Sequence, residues 1–465
     1  MRLNDTIAAI ATPGGVGGIA IIRISGTDAV SAADKLAKPY GISSVFEAED
    51  RKLTLCRIFS DETKTLLIDE ALIAVMYAPK SYTGETVVEI NCHGGYYAAK
   101  KILDSLLKTG VRLAEAGEFT RRAFVNGKTD LTRAEAVVDL MNATSDLGLN
   151  NSALSLTGVL SKKIGEIRAE LLEIATHISA AADYPEEVDI PDSNELKCKL
   201  LKIYRNIKSL ADGFCAGKLL RDGVRTAIAG RPNVGKSSLL NALLNYERAI
   251  VTDVPGTTRD TVEELLNIGG VTLRLIDTAG IHNAEDKIEK IGIEKSVENI
   301  KNADLCLFVI DSSSRLSDED FAISKYLNGK RIILVLNKKD KKADFDIKKE
   351  AEKLKISPAA VVETAVLQDS EFEGIDSLKE AVSAVFKSEG IDENSVFISN
   401  ERQRDALYKA ADSVKAAYDG FLEGMPYDLL YIDMEDALAA LGEVTGETVR
   451  EEICDTVFKR FCVGK

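Results

Sequence analysis

The chain has 465 residues, room for about three domains at ~150 residues each, and its 45% hydrophobic and 29% charged content is a soluble globular balance with material for several cores. A formal charge of −15 sets the average surface against nucleic acid, whose nonspecific affinity comes from Lys and Arg neutralising phosphates, so an RNA partner needs a local basic patch. Seven scattered cysteines with no CxxC spacing argue against a disulfide framework or structural zinc; with no bilayer-length apolar run and no secretory signal at Met1–Asp5, a reducing, cytoplasmic setting without membrane contact is expected.

From Met1 to about Phe124, short β-branched runs alternate with glycine turns. Residues 18–24 and 86–90 predict strands, and 98–107 a helix. The cluster Gly14-Gly15-Val16-Gly17-Gly18 invites a dinucleotide reading. It leads into a strand, so no helix N-terminus is offered to a pyrophosphate, and the reading is set aside. From about Leu131 to Leu220 the period is helical. Leu156, Leu160, Ile164, Ile167, Leu171, Ile174 and Ile178 fall on one face, with breaks at Asp183-Tyr184-Pro185 and Pro191. Helical period returns after about Asn400, in Leu407, Ala411, Val414, Tyr418 and Phe421, then Leu430, Met434, Leu438 and Leu441, then Val449, Ile453 and Val457. Between these stretches, from Val224 to about Phe386, strands and helices alternate. The expected fold class is multidomain α/β plus α. It comprises an N-terminal α+β domain (1–124), a helical domain in two halves (125–220 and 387–465), and an inserted P-loop, Rossmann-like domain (221–386).

Gly230-Arg231-Pro232-Asn233-Val234-Gly235-Lys236-Ser237 fits G-x4-G-K-S, with strand-like 226–229 before it and a helix-like run from Ser238 after it. In such a loop the backbone N–H groups converge on phosphate, Lys236 neutralises charge and the Ser237 hydroxyl can hold Mg²⁺. Three elements follow in order. Asp253-Val254-Pro255-Gly256-Thr257-Thr258, preceded by Thr252, predicts a loop in which Thr258 can close over Mg²⁺ and the γ-phosphate. Asp277-Thr278-Ala279-Gly280 ends a strand; Asp277 would hold the metal's water shell and the Gly280 amide would sense the γ-phosphate. Asn337-Lys338-Lys339-Asp340 ends another, and the Asp340 carboxylate matches the N1–H and exocyclic amine of guanine. The set resembles the translation-factor-related class of GTP-binding domains. Glu363-Thr364-Ala365 stands where Ser-Ala-Lys is usual, which implies modest guanine affinity.

Ile281 occupies the position after the DTAG stretch, where Ras-like enzymes carry a water-orienting glutamine, and no arginine finger is readable. A cation beside the phosphates could supply the missing charge. The Asn233 side-chain oxygen suits a monovalent cation, and suits a hydrogen bond within the loop equally well. On physical grounds Glu289 reads as a solvated first-turn acid. The motif set does not separate a modification enzyme from a regulatory or ribosome-assembly switch.

Further matches lie outside the phosphate motifs: Asn4-Asp5-Thr6-Ile7, Ala11-Thr12-Pro13, Arg23-Ile24-Ser25-Gly26, Tyr82-Thr83-Gly84-Glu85, His93-Gly94-Gly95, Gly117-Glu118-Phe119-Thr120-Arg121-Arg122-Ala123-Phe124 and the terminal Phe461-Cys462-Val463-Gly464-Lys465. With these, the chain resembles the MnmE (TrmE) family of tRNA-modification GTPases along essentially its whole length. The resemblance implies a folate-binding-like N-terminal domain that dimerises and takes a 5-formyl-tetrahydrofolate-type carrier through Arg23, Glu89, Lys128 and Lys465. Read without it, those four are ordinary surface charges. It also implies potassium-stimulated GTP hydrolysis, with Asn233, Thr252, Val254 and Thr257 as potassium ligands, Ser237 and Thr258 as magnesium ligands, and Glu289 positioning the attacking water. With an FAD-dependent MnmG (GidA)-type partner, in a heterotetramer, the family adds an aminomethyl or carboxymethylaminomethyl group at C5 of wobble uridine in tRNA. Cys462 matches a cysteine suggested to take part; a thiolate could add to C6 of uracil, or the residue is structural.

Overall fold

The computed structural model describes residues 5–184, 186, 193–246, 264–276, 298–341, 345–366, 372–387, 396–449, 451–459 and 461–464. They fall into two compact units, Met1–Val138 with Leu156–Leu196 and Ala416–Lys465, and Asp139–Ser155 with Lys197–Lys415.

The first unit is built on strands β1 (Ile7–Ile10), β2 (Ile19–Ser25), β3 (Ala37–Pro39), β4 (Leu53–Phe59), β5 (Leu67–Met76), β6 (Val87–His93) and β7 (Arg112–Leu113). They make one sheet in the order β3-β4-β5-β6-β2-β1-β7, antiparallel except where β7 runs parallel to β1. Alternation decides which side is covered, because successive strand residues face opposite ways. Ile22 and Ile24, Ile58, Ile73 and Val75, and Val88 and Ile90 join the core with Leu36, Ile102 and Leu106 of the helices Ala29–Leu36 and Tyr96–Lys108. Arg23 and Glu89 lie on the opposite face, directly paired across β2 and β6. There the helix Glu118–Val125 lays Phe119 on Ile7 and Ala9. The glycine cluster ends in a backbone lock, Gly17 N to Gly94 O at 2.8 Å, and leads into β2, as expected of a turn rather than a nucleotide loop.

The helical face expected from residues 156–178 is realised from Leu160 onward in the helix Val159–Asp183, which buries Leu160, Ile164, Ile167, Leu171, Ile174 and Ile178 and runs beside the helix Tyr427–Thr445, whereas Leu156, half-buried, ends the separate helix Asp146–Leu156. The later stripe divides among the helices Glu401–Glu423, Tyr427–Thr445 and Glu451–Phe458, with Val449 falling between the last two.

In the second unit β8 (Val224–Ala229), β9 (Glu264–Ile268), β10 (Val271–Leu275), β11 (Leu305–Asp311), β12 (Arg331–Asn337) and β13 (Ala360–Glu363) form a sheet ordered β13-β12-β11-β8-β10-β9. All neighbours are parallel except β9 and β10. Leu305 to Ile310 are buried without interruption, as a central parallel strand covered on both faces requires. Cores lie on both sides, one holding Leu239, Leu240, Leu378 and Val382 from the helices Lys236–Tyr246 and Ile375–Lys387, the other Phe308, Ile323 and Leu336. Strand β8 has β11 on one side and β10 on the other, so its carboxyl end opens at the point where the winding reverses, the usual ligand position in such sheets. Among the described residues no helix is long and apolar enough to cross a membrane.

Candidate nucleotide site

The loop Gly230–Ser237 joins the carboxyl end of β8 to the helix Lys236–Tyr246. Gly235 has φ +100°, and a Cβ there would stand 2.1 Å from Asn337 Nδ2, so only glycine lets β12 close on the loop. Lys236 Nζ donates to the carbonyls of Gly230 at 2.7 Å and Arg231 at 2.8 Å. Burial lowers the pKa of its ammonium, partly opposed by the charge of Glu319. Val234 is buried, Ser237 is half-buried, and Asn233 and Ser238 are exposed.

The Asn-Lys-Lys-Asp turn is tied to the same loop. Asn337, buried, donates from Nδ2 to Val234 O at 2.8 Å and accepts at Oδ1 from Thr364 Oγ1 at 3.1 Å. Lys338 donates to Asn233 O and to Asp311 Oδ2, both at 2.6 Å. Burial pushes the Asp311 carboxyl up, but Lys338 and Ser313 outweigh it and hold it below the usual range. Asp340 stands exposed at the end of the turn. Asn233 presents its backbone oxygen to Lys338, and its side chain makes no hydrogen bond to a described residue.

The base-closing segment differs from expectation by one position. Because the hydroxyl that meets Asn337 belongs to Thr364, the hydroxyl–alanine pair of Ser-Ala-Lys reads as Thr364-Ala365. Glu363 instead accepts Lys339 at 2.9 Å and Lys348 at 2.8 Å, and these lysines, Lys348 foremost, lower its pKa. Spacing alone could not reveal this clamp. Thr252, Asp253, Val254, Pro255, Gly256, Thr257, Thr258, Asp277, Thr278, Ala279, Gly280 and Glu289 lie outside the described residues.

A second constellation occupies the open face of the first unit. Arg23 Nε and Nη2 both reach Glu89 Oε1 at 2.8 Å, Nη1 reaches the Gly464 carbonyl at 3.5 Å, and the guanidinium lies 5.2 Å from the Tyr82 ring centroid and 5.7 Å from that of Phe119. The tail arrives by a bridge between Val463 and Ala116. Gly464 has φ +101°, and a Cβ on it would meet Ile10 O at 2.3 Å, which explains a glycine next to last. Lys128 is exposed, its side chain beside Gly84. Cys462 is exposed and its carbonyl accepts from Gly117 N at 3.4 Å; Lys465 lies outside the described residues.

Sequence reasoning found the motif Gly117–Phe124 but not its work. Arg122 is wholly buried, donating to Asp5 Oδ1 at 2.6 Å, Glu118 Oε1 at 3.0 Å and Glu85 Oε2 at 3.1 Å. Arg112 also grips Asp5 and Glu118. The available signal was the i,i+4 pair Glu118 and Arg122.

A phosphate loop at the winding switch, bound through Asn337 and Lys338 to a guanine-type turn, makes this protein a P-loop GTP hydrolase. A family model described as the MnmE helical domain matches residues 131–462, and one described as the GTP-binding protein TrmE N-terminus matches residues 6–128. Among curated relatives, the tRNA modification GTPase MnmE of Clostridioides difficile is 45% identical over 468 residues, covering 100% of each chain. The protein of that name from Alkaliphilus oremlandii is 42% identical over 467 residues, again 100% of each. The chain therefore belongs to the MnmE (TrmE) family. Among solved structures, the G domain of the T. maritima FeoB iron transporter is 29% identical, covering 35% of this chain and 98% of that one at a TM-score of 0.25.

Proposed function

We propose that this chain is a potassium-stimulated GTPase that works in the cytoplasm as a homodimer. With an FAD-dependent MnmG (GidA)-type partner, in a heterotetramer, it adds an aminomethyl or carboxymethylaminomethyl group to C5 of wobble uridine in tRNA. Its domains are the N-terminal folate-binding-like domain (1–124), the helical halves (125–220 and 387–465) and the GTPase domain inserted between them (221–386).

The observation that carries the reading is the tail seated on Arg23. A switch that only docks partners has no need of an arginine held among a carboxylate, the Gly464 carbonyl and two rings, whereas a bound one-carbon carrier does. Arg23, Lys128 and Lys465 offer cations to the glutamate carboxylates of a 5-formyl-tetrahydrofolate-type carrier, and Glu89 offers an acceptor to pterin N–H groups. Cys462, exposed beside this seat, is the candidate nucleophile toward uracil C6.

In the GTPase site Lys236, with Ser238 and the amides of Val234 and Gly235, holds the phosphates. The residues Thr252 to Thr258 and Asp277 to Gly280 close over the γ-phosphate, and Asn337, Lys338 and Asp340 take the base. The half-buried hydroxyl of Ser237 on the first helical turn, with Thr258, suits magnesium. The exposed amide of Asn233, free of bonds to described residues, suits potassium with Thr252, Val254 and Thr257; that charge stands in for an arginine finger. Glu289 orients the attacking water that Ile281 cannot.

Exposed Leu53, Leu55 and Leu72 on neighbouring strands, with Leu55 opposite Leu72, support a second copy on the open face of the sheet. A strain lacking the gene should lose the modified wobble nucleoside from bulk tRNA. Unchanged nucleosides would overturn the reading.

A further inference from the structure

The second residue of the phosphate loop points to a control that no motif describes. Arg231 Nη2 donates to Ser314 Oγ, and its Nε lies 3.4 Å from Asp320 Oδ2. Both partners belong to the connection after β11 and the helix Asp318–Ser324 that follows. Asp320 is 1% exposed. Its Oδ2 already accepts from Ser317 N at 2.9 Å and Ser317 Oγ at 3.0 Å. Among the described residues, Arg231 Nε and Asp320 Oδ1 are buried with no hydrogen-bond partner. For packing alone an apolar side chain would serve, because each unmade bond costs free energy in a buried site. What this pair adds is direction, since a planar guanidinium between a hydroxyl and a carboxylate has a defined orientation.

That orientation bears on the phosphates through one atom. The backbone carbonyl of Arg231 accepts from Lys236 Nζ at 2.8 Å. Farther along the loop Asn233 O is held by Lys338, which itself rests on Asp311. Asp311 at the end of β11, Ser314 in the connection after it and Asp320 in the helix that follows therefore brace the loop at two places.

We propose that Arg231 is a positioning residue for GTP binding: seated on Ser314 and Asp320, it fixes the carbonyl on which Lys236 rests and so sets where the ammonium meets the nucleotide phosphates. The test uses the full-length chain, with GDP affinity measured by calorimetry and GTP hydrolysis at steady state. Arg231→Ala and Asp320→Asn each raise Kd for GDP and KM for GTP about ten-fold, as loss of a charge-assisted contact does, while kcat falls less. The double variant is no worse than the poorer single, because the two residues form one interaction. Arg231→Lys falls between. Ser317→Ala, which removes the capping hydroxyl and leaves Asp320 to the arginine, binds GDP like the unmodified protein. Additive losses overturn the proposal, as does an equal loss in Ser317→Ala. So does GDP affinity within about two-fold of the original in folded Arg231→Ala. Should that variant not fold, original affinity in both Arg231→Lys and Asp320→Asn overturns it equally.

Discussion

In the proposed site, Asp340 selects the base by what it can accept. Replacing its carboxylate by an amide in Asp340→Asn puts a donor where guanine presents donors, and should weaken GDP binding on the order of a hundred-fold. Xanthosine diphosphate, with a carbonyl at that ring position, should gain; competition calorimetry between the two nucleotides is the check. In the proposed role of Glu289, Glu289→Ala should abolish most turnover while leaving GDP affinity within about two-fold, since a water-orienting group contributes to the transition state and not to the ground state. Single-turnover hydrolysis beside nucleotide binding separates the two. In the first unit, Arg23→Ala removes the group that joins Glu89 to the tail, and a folate-type ligand should no longer bind detectably in fluorescence titration.

At the scale of elements, the same cluster that fastens the helix Glu118–Val125 makes stability depend on pH. The Arg112 side chain, with Arg122, lowers the Asp5 carboxyl against a burial effect that raises it. For Glu118 burial again raises, and Arg112, a backbone amide and Arg122 together prevail, so it too is lowered. Depressed carboxyls stabilise fully above their ordinary range, and that stability is lost as pH falls through the folded values. The urea midpoint should therefore drop on going from about pH 6 to about pH 3, and Arg112→Ala should flatten the dependence. Ile164→Ala, in the helix Val159–Asp183, should cost ~2–5 kcal/mol in the same titration, because the side chain it truncates is wholly buried.

Much of this was legible from local order. The phosphate loop and the Asn-Lys-Lys-Asp turn are each contiguous, and the buried stripe from Leu160 to Ile178 follows a period that a helix alone satisfies. What escaped is written across distance. Thr364 is aligned by a bond to Asn337, Arg231 by side chains beyond β11, and Arg122 by Asp5 at the far end of its unit. None of these pairs has a spacing that a local rule could read. The Glu363 clamp escaped for a related reason: a residue that departs from a motif shows what is missing, not what replaces it.

For the whole molecule the acidic balance carries a consequence of its own. With a net charge of −15, the partner in the proposed reaction is expected to supply most of the grip on tRNA. The isolated chain should bind tRNA weakly at physiological salt, and tight binding with a steep salt slope would refute this. The cation proposal is likewise tested on the intact chain: hydrolysis in potassium should exceed that in sodium, and equal rates would sink it.

Asn337 spans from the Asn-Lys-Lys-Asp turn to the peptide behind Gly235, so the proposed base reader and the phosphate loop are one mechanical piece. An effort to retrain this enzyme toward adenosine ligands cannot proceed one loop at a time, because any change that shifts β12 also shifts the floor beneath the phosphates. The two specificities are inherited together, and a successful redesign would have to replace them together.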